Sequence, residues 1–125
     1  MDENFISGQI VDAAITVHKA LGPGLLESVY EEVLEYELIQ RGFTVERQKI
    51  IPVVYKGMVM EAGFRADLII NGKVLIELKS IEKLTPLIFK VTQNYLRLSN
   101  IRIGLLINFN EVLLKDGLHR IIHGY

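Results

Sequence analysis

The chain has no cysteine. That excludes a disulfide framework and any thiolate-held metal, and it suits a reducing compartment, so the cytoplasm is the expected setting. There is also no excess charge of either sign: 14 basic residues stand against 15 acidic ones, for a net charge of −1. A protein that coats nucleic acid nonspecifically carries a positive surplus, and this one does not. Clusters such as Arg47, Lys49 and Lys56, or Lys79, Lys83 and Lys90, read mostly as mixed, solvated surface. No apolar run reaches membrane-spanning length, and the longest, such as Ile103 to Ile107, has the length of a strand. The acidic start Met-Asp-Glu-Asn-Phe, followed by an amphipathic stretch, is not a signal peptide. Also missing are a phosphate-cradling glycine loop, a nucleophile elbow, histidines at metal-ligand spacing and an aromatic platform for single strands.

What is present is one domain, residues 1–125, with half of its residues hydrophobic. Such content argues for a folded chain. It is somewhat high for a small monomer and points to a homodimer. Apolar residues from Phe5 to Leu21 recur at spacings of three and four, which predicts a helix ended by Gly22-Pro23-Gly24. A second helix is predicted from about Leu25 to Gln40, with Gly42 as its terminal glycine. Its glutamates Glu31, Glu32, Glu35 and Glu37 read as a solvated face, with Glu31 one turn beyond Glu27. Strands follow over 44–55, interrupted by Pro52, then 64–70 and 74–79. Thr85-Pro86 opens a third helix, Arg102–Asn108 is a central strand, and Leu118, Ile121 and Ile122 form a last short one. The order α-α-β-β-β-α-β-(β) describes an α/β domain in layers.

Chemistry concentrates in the hairpin from Gly63 to Lys79, where Asp67, Glu77 and Lys79 interrupt two apolar strands. Buried carboxylates are costly, and a hard divalent cation such as Mg²⁺ is one reason to keep them. The pleat sends Glu77 and Lys79 to one face. Asp67 depends on the loop: with only Asn71 and Gly72 in it, Ile70 pairs with Lys73 and Asp67 falls opposite Ile76, away from Glu77. An odd loop, or a bulge at Gly72, is required to bring Asp67 beside Glu77. The plainer alternative is a solvated hairpin whose charges pair with one another.

Gly24-Leu-Leu-Glu27-Ser-Val-Tyr30 is the signature for which the GxxExxY protein family is named. With Leu21-Gly-Pro-Gly24, Arg65-Ala-Asp67, Glu77-Leu-Lys79 and Gly104-Leu-Leu-Ile-Asn-Phe109, nearly the whole chain resembles that family. The family is assigned to the PD-(D/E)XK nuclease-like superfamily. The resemblance implies a restriction-endonuclease-like α-β-β-β-α-β core with an extra N-terminal helix, its central mixed sheet flanked by helices. It further implies Mg²⁺ (or Mn²⁺) held by Asp67, Glu77, the Leu78 carbonyl and Glu27, with Lys79 orienting the attacking water. Asp67, Glu77 and Lys79 would thus carry phosphodiester hydrolysis of DNA or RNA.

The chain departs from this pattern on its third helix. A glutamine is expected three positions before Asn94-Tyr95-Leu96, but Val91 stands there, and Ile88 and Phe89 replace polar residues. Gln93 lies two residues on, about 200° around a helix, and cannot substitute. An apolar helix of this kind favours a second reading, a weak or inactive nuclease-fold module that binds a protein or nucleic-acid partner. A hydrolase of another phosphate ester is a third.

Overall fold

A computed structural model describes residues 2–124 of the chain. The first helix, α1 (Glu3–Leu21), starts where Asp2 accepts the Phe5 N–H and ends at Gly22, whose φ of 70° suits a residue without a Cβ. Helix α2 (Glu27–Gln40) follows the short Gly22–Leu26 turn. Tyr30 holds that turn: its hydroxyl donates to the Gly22 carbonyl and accepts the Leu25 N–H, and its ring stacks on Phe109 at 4.6 Å. The signature tyrosine therefore fixes the angle between the first two helices.

Five strands form one mixed sheet in sequence order: β1 (Val45–Tyr55), β2 (Met58–Ile70), β3 (Val74–Lys79), β4 (Ile103–Asn108) and β5 (Leu118–Ile122). Only β3 and β4 run parallel, and α3 (Pro86–Ser99) makes the crossover between them. All six residues of β4 are buried, as expected of a strand inside the sheet. Pro52 sits on the edge strand, where its missing N–H is harmless, and the β1–β2 register shifts just beyond it. Lys56 and Gly57, both at positive φ, close that hairpin.

The core lies in two layers. Ile6, Ile10, Ala13, Ala14 and Val17 of α1 and Tyr30, Leu34 and Leu38 of α2 pack on alternate residues of β2, β3 and β4. Across the sheet, Leu96 of α3 packs with Leu75, Ile69 and Ile51, and Tyr95 stacks on Phe64 at 3.9 Å. The β1–β2 hairpin is longer than the rest of the sheet, because β2 pairs with β3 only from Leu68 to Ile70. Its outer part leaves Ile50, Val54, Tyr55, Met58 and Val59 more than half exposed.

Candidate metal and catalytic site

The loop between β2 and β3 holds three residues, Asn71, Gly72 and Lys73, since Ile70 pairs with Val74. Asn71 and Gly72 both take positive φ, and the Lys73 N–H donates to the Ile70 carbonyl. Asn71 also accepts the Thr44 N–H through its side chain, which anchors the loop to the start of β1. The register that pairs Leu68 with Ile76 sets Asp67 level with Glu77. This is the odd parity that the sequence argument required.

At that level the β2–β3 ladder stops, and the two acids take over its hydrogen bonds. Glu77 Oε1 accepts the Asp67 N–H at 3.1 Å, while Asp67 Oδ2 accepts the Leu78 N–H at 2.8 Å. Each carboxyl thus caps the other strand's backbone where the strands part. In an extended strand the N–H and C=O of one residue point to the same neighbour, so the Leu78 carbonyl also faces the gap beside Asp67. Lys79, one residue on, sends its carbonyl the other way to Phe109.

Burial disfavours charge here. It pushes the Glu77 carboxyl, with the nearby Asp67 charge adding to it, up to about 8. Asp67 is raised as well, chiefly by burial, with the Leu78 N–H opposing the shift. Tyr95 is raised by burial and then by the charges of Glu77 and Asp67, so α3 lies close enough to feel the pair. Glu77 and Lys79 line a cavity of about 130 Å³ closed by Leu87, Ile88, Val91, Thr92 and Tyr95 of α3. Its α3 wall is largely apolar, as Val91 in place of a glutamine implied. Gln93 turns away and donates to the Ile122 carbonyl of β5.

The structure brings Asp67, Glu77, Leu78 and Lys79 together. Glu27 is exposed at the first position of α2, with no hydrogen bond or ion pair to Asp67 or Glu77. The acid of α2 that does reach toward the pair is Glu31, only 7% exposed. This corrects its assignment to a solvated face. One turn inward from Glu27, it accepts from Arg47 Nε at 2.8 Å and from Gln48 Nε2 at 2.7 Å, and the same Gln48 nitrogen donates to Asp67 Oδ1 at 3.1 Å. Arg47 is correspondingly committed to Glu31 and Glu35 and is not part of a loose basic patch. Nothing in the helical spacing separates Glu31 from its acidic neighbours. Only its pairing with the Arg47-Gln48 segment of β1 does. Among the described residues, no three His, Cys, Asp or Glu side chains gather closely enough to form a metal-binding group on their own.

A family model of the PD-(D/E)XK nuclease superfamily matches residues 4–121. The chain belongs to that superfamily. Its mixed sheet with helices on both faces is consistent with a nuclease-like fold. No curated protein and no solved structure matches the chain. Nucleases of this superfamily are generally divalent-metal dependent, and their fold suggests nucleic acid as the ligand. No helix among the described residues is long and apolar enough to cross a membrane.

Proposed function

We propose that the protein is a Mg²⁺- or Mn²⁺-dependent hydrolase of phosphodiester bonds in DNA or RNA, centred on Asp67, Glu77 and Lys79. The observation that carries this reading is the interlocking of Asp67 and Glu77 at the parting of β2 and β3, with Lys79 on the same cavity. A buried Glu77, pushed up to about 8, in contact with a half-buried Asp67 is expensive to keep unless a cation offsets the pair. The donors suit Mg²⁺, which takes one or two carboxylates and completes its shell with water and substrate phosphate. Asp67, Glu77 and the Leu78 carbonyl are the groups assigned to hold it, and Glu27 would add a more distant charge from α2. A bound divalent ion would polarise the phosphoryl group and make its water more acidic.

The chain's own part is positioning. The backbone bonds of Leu78 and Asp67 fix both carboxyls before any ligand arrives. Lys79 would orient the attacking water and stabilise charge developing on the phosphoryl oxygens. The apolar α3 wall limits water in the cavity. The same wall favours the second reading, a weak or inactive nuclease-fold module, because Leu87, Ile88 and Val91 offer a substrate no hydrogen bonds. The setting assumed is the cytoplasm, for which a cysteine-free chain is suited. The active unit proposed is a homodimer joined through the apolar outer hairpin.

Cleavage of labelled DNA and RNA with Mg²⁺ or Mn²⁺ tests the reading. Asp67→Ala and Lys79→Ala are each expected to lower the rate by at least about 100-fold. Equal rates in wild type and both variants would reject the hydrolase assignment. Titration with Mn²⁺ separates binding from turnover, and binding that survives loss of both carboxyls would reject the metal site.

A further inference from the structure

We propose that Gln48 is the positioning residue of this site: its carboxamide fixes Asp67 against Glu31 and so sets where a cation is received. The cation half of this inference rests on the metal reading above; the positioning half does not.

Gln48 stands in the middle of β1 with φ +52°, a left-handed conformation that a residue with a Cβ seldom adopts inside a strand. Its neighbours keep their places, with Arg47 paired to Leu68 and Lys49 to Ala66, so the distortion is confined to one residue. The same register sets Gln48 level with Asp67. The β1–β2 ladder is therefore disturbed at the level where the β2–β3 ladder parts. Backbone strain confined to one residue beside the half-buried Asp67 and the buried Glu31 needs a compensating interaction, and the carboxamide supplies one.

Nε2 donates to Glu31 Oε1 at 2.7 Å and to Asp67 Oδ1 at 3.1 Å. An amide nitrogen carries two hydrogens, so both of its donors are used. Asp67 then has each oxygen engaged, Oδ1 by the exposed Gln48 and Oδ2 by the Leu78 N–H, which sets the orientation of its carboxyl plane. A continuous chain of bonds runs from Arg47 through Glu31, Gln48 and Asp67 to the backbone of β3. It couples α2 to the hairpin.

The chemistry of the amide matters. A lysine here would neutralise both acids and compete with a divalent ion, whereas another acid would add repulsion. A neutral donor holds two carboxylates close while leaving their charge for a cation. Its role differs from that of the glutamine absent at Val91, because Gln48 touches the acids and not the α3 cavity.

The decisive variant is Gln48→Gly, which removes the carboxamide and also relieves the positive φ. Gln48→Ala removes the amide and retains the strain. In the metal-free full-length protein, the Leu78 amide proton should shift in ¹⁵N–¹H spectra and exchange at least about 10-fold faster in both variants. The Phe109 amide, bonded to Lys79 on the other edge of β3, should stay unchanged. Mn²⁺ affinity by calorimetry should fall roughly 10- to 100-fold in both, the range for loss of a group that orients a ligand. The thermal midpoint of Gln48→Gly without metal should not drop. An unmoved Leu78 amide in Gln48→Gly overturns the proposal, as does a loss of Mn²⁺ affinity seen with alanine but not glycine, which would trace the effect to strain. If wild type takes up no Mn²⁺ while Leu78 still responds, the metal reading fails and the positioning role stands.

Discussion

At the scale of the residue, the main quantity is the protonation of Glu77. Its folded value of about 8 lies above the ordinary 4.5, and that of Asp67 is displaced in the same direction. Between those values the unfolded chain has already released a proton that the folded protein retains, so metal-free stability must fall as pH rises. One such proton contributes at most about 1.4 kcal/mol per pH unit. Urea midpoints measured with a chelator from pH 5 to 8 should therefore decline, and Glu77→Gln should flatten the decline. A rise in stability over this window would contradict the burial argument. Adding Mn²⁺ should reverse the trend, because its carboxylate ligands must be ionised.

At the scale of the element, one tight constraint outside the site is Gly63. A Cβ there would lie 2.4 Å from the Ile51 carbonyl oxygen, where β2 crosses the edge strand beside Pro52. Gly63→Ala should cost about 2 kcal/mol, read as a lowered denaturation midpoint with unchanged circular dichroism at low temperature. Helix α3 depends more modestly on its start, where Thr85 accepts the Ile88 N–H and Pro86 occupies the first turn. Thr85→Ala should cost about 1 kcal/mol by the same measurement.

Most elements were legible in the sequence because their signals are local, but residues 58–63, which the pattern left outside the strand over 64–70, belong to β2. Spacings of three and four marked α1, Pro86 after Thr85 marked α3, and the Ile- and Leu-rich run marked β4. Asp67, Glu77 and Lys79 were legible as apolar-strand interruptions, but their convergence hinged on a loop length that Asn71-Gly72 alone left at two or three residues. Glu31 and Gln48 were not legible. Their roles arise where α2 meets β1, between residues 17 positions apart, and no pattern along either element encodes that meeting.

At the scale of the whole molecule, the outer hairpin bears on assembly. Its exposed Ile50, Val54, Tyr55, Met58 and Val59, with Met60 beside them, make the arm largely apolar, the kind of surface a second copy covers. The proposed dimer predicts that Val54→Lys combined with Met58→Lys will convert a sedimenting dimer to a monomer without loss of secondary structure. A wild-type monomer at tens of micromolar would remove the case for pairing through this arm. The balance of charge leads to a second expectation. With a net charge of −1, the chain has no general attraction for phosphate, and any nucleic acid must be held by local contacts near Lys79.

The three residues that join β2 to β3 also govern how this protein can change over time. Losing or gaining one residue there would exchange the faces of a whole strand, so that Asp67 would trade places with a core neighbour and both the site and the packing would fail together. Descendants of this chain can lengthen the loop only in steps of two, or by a bulge that restores the count. Loop length is therefore under the same physical constraint here as the side chains that it aligns.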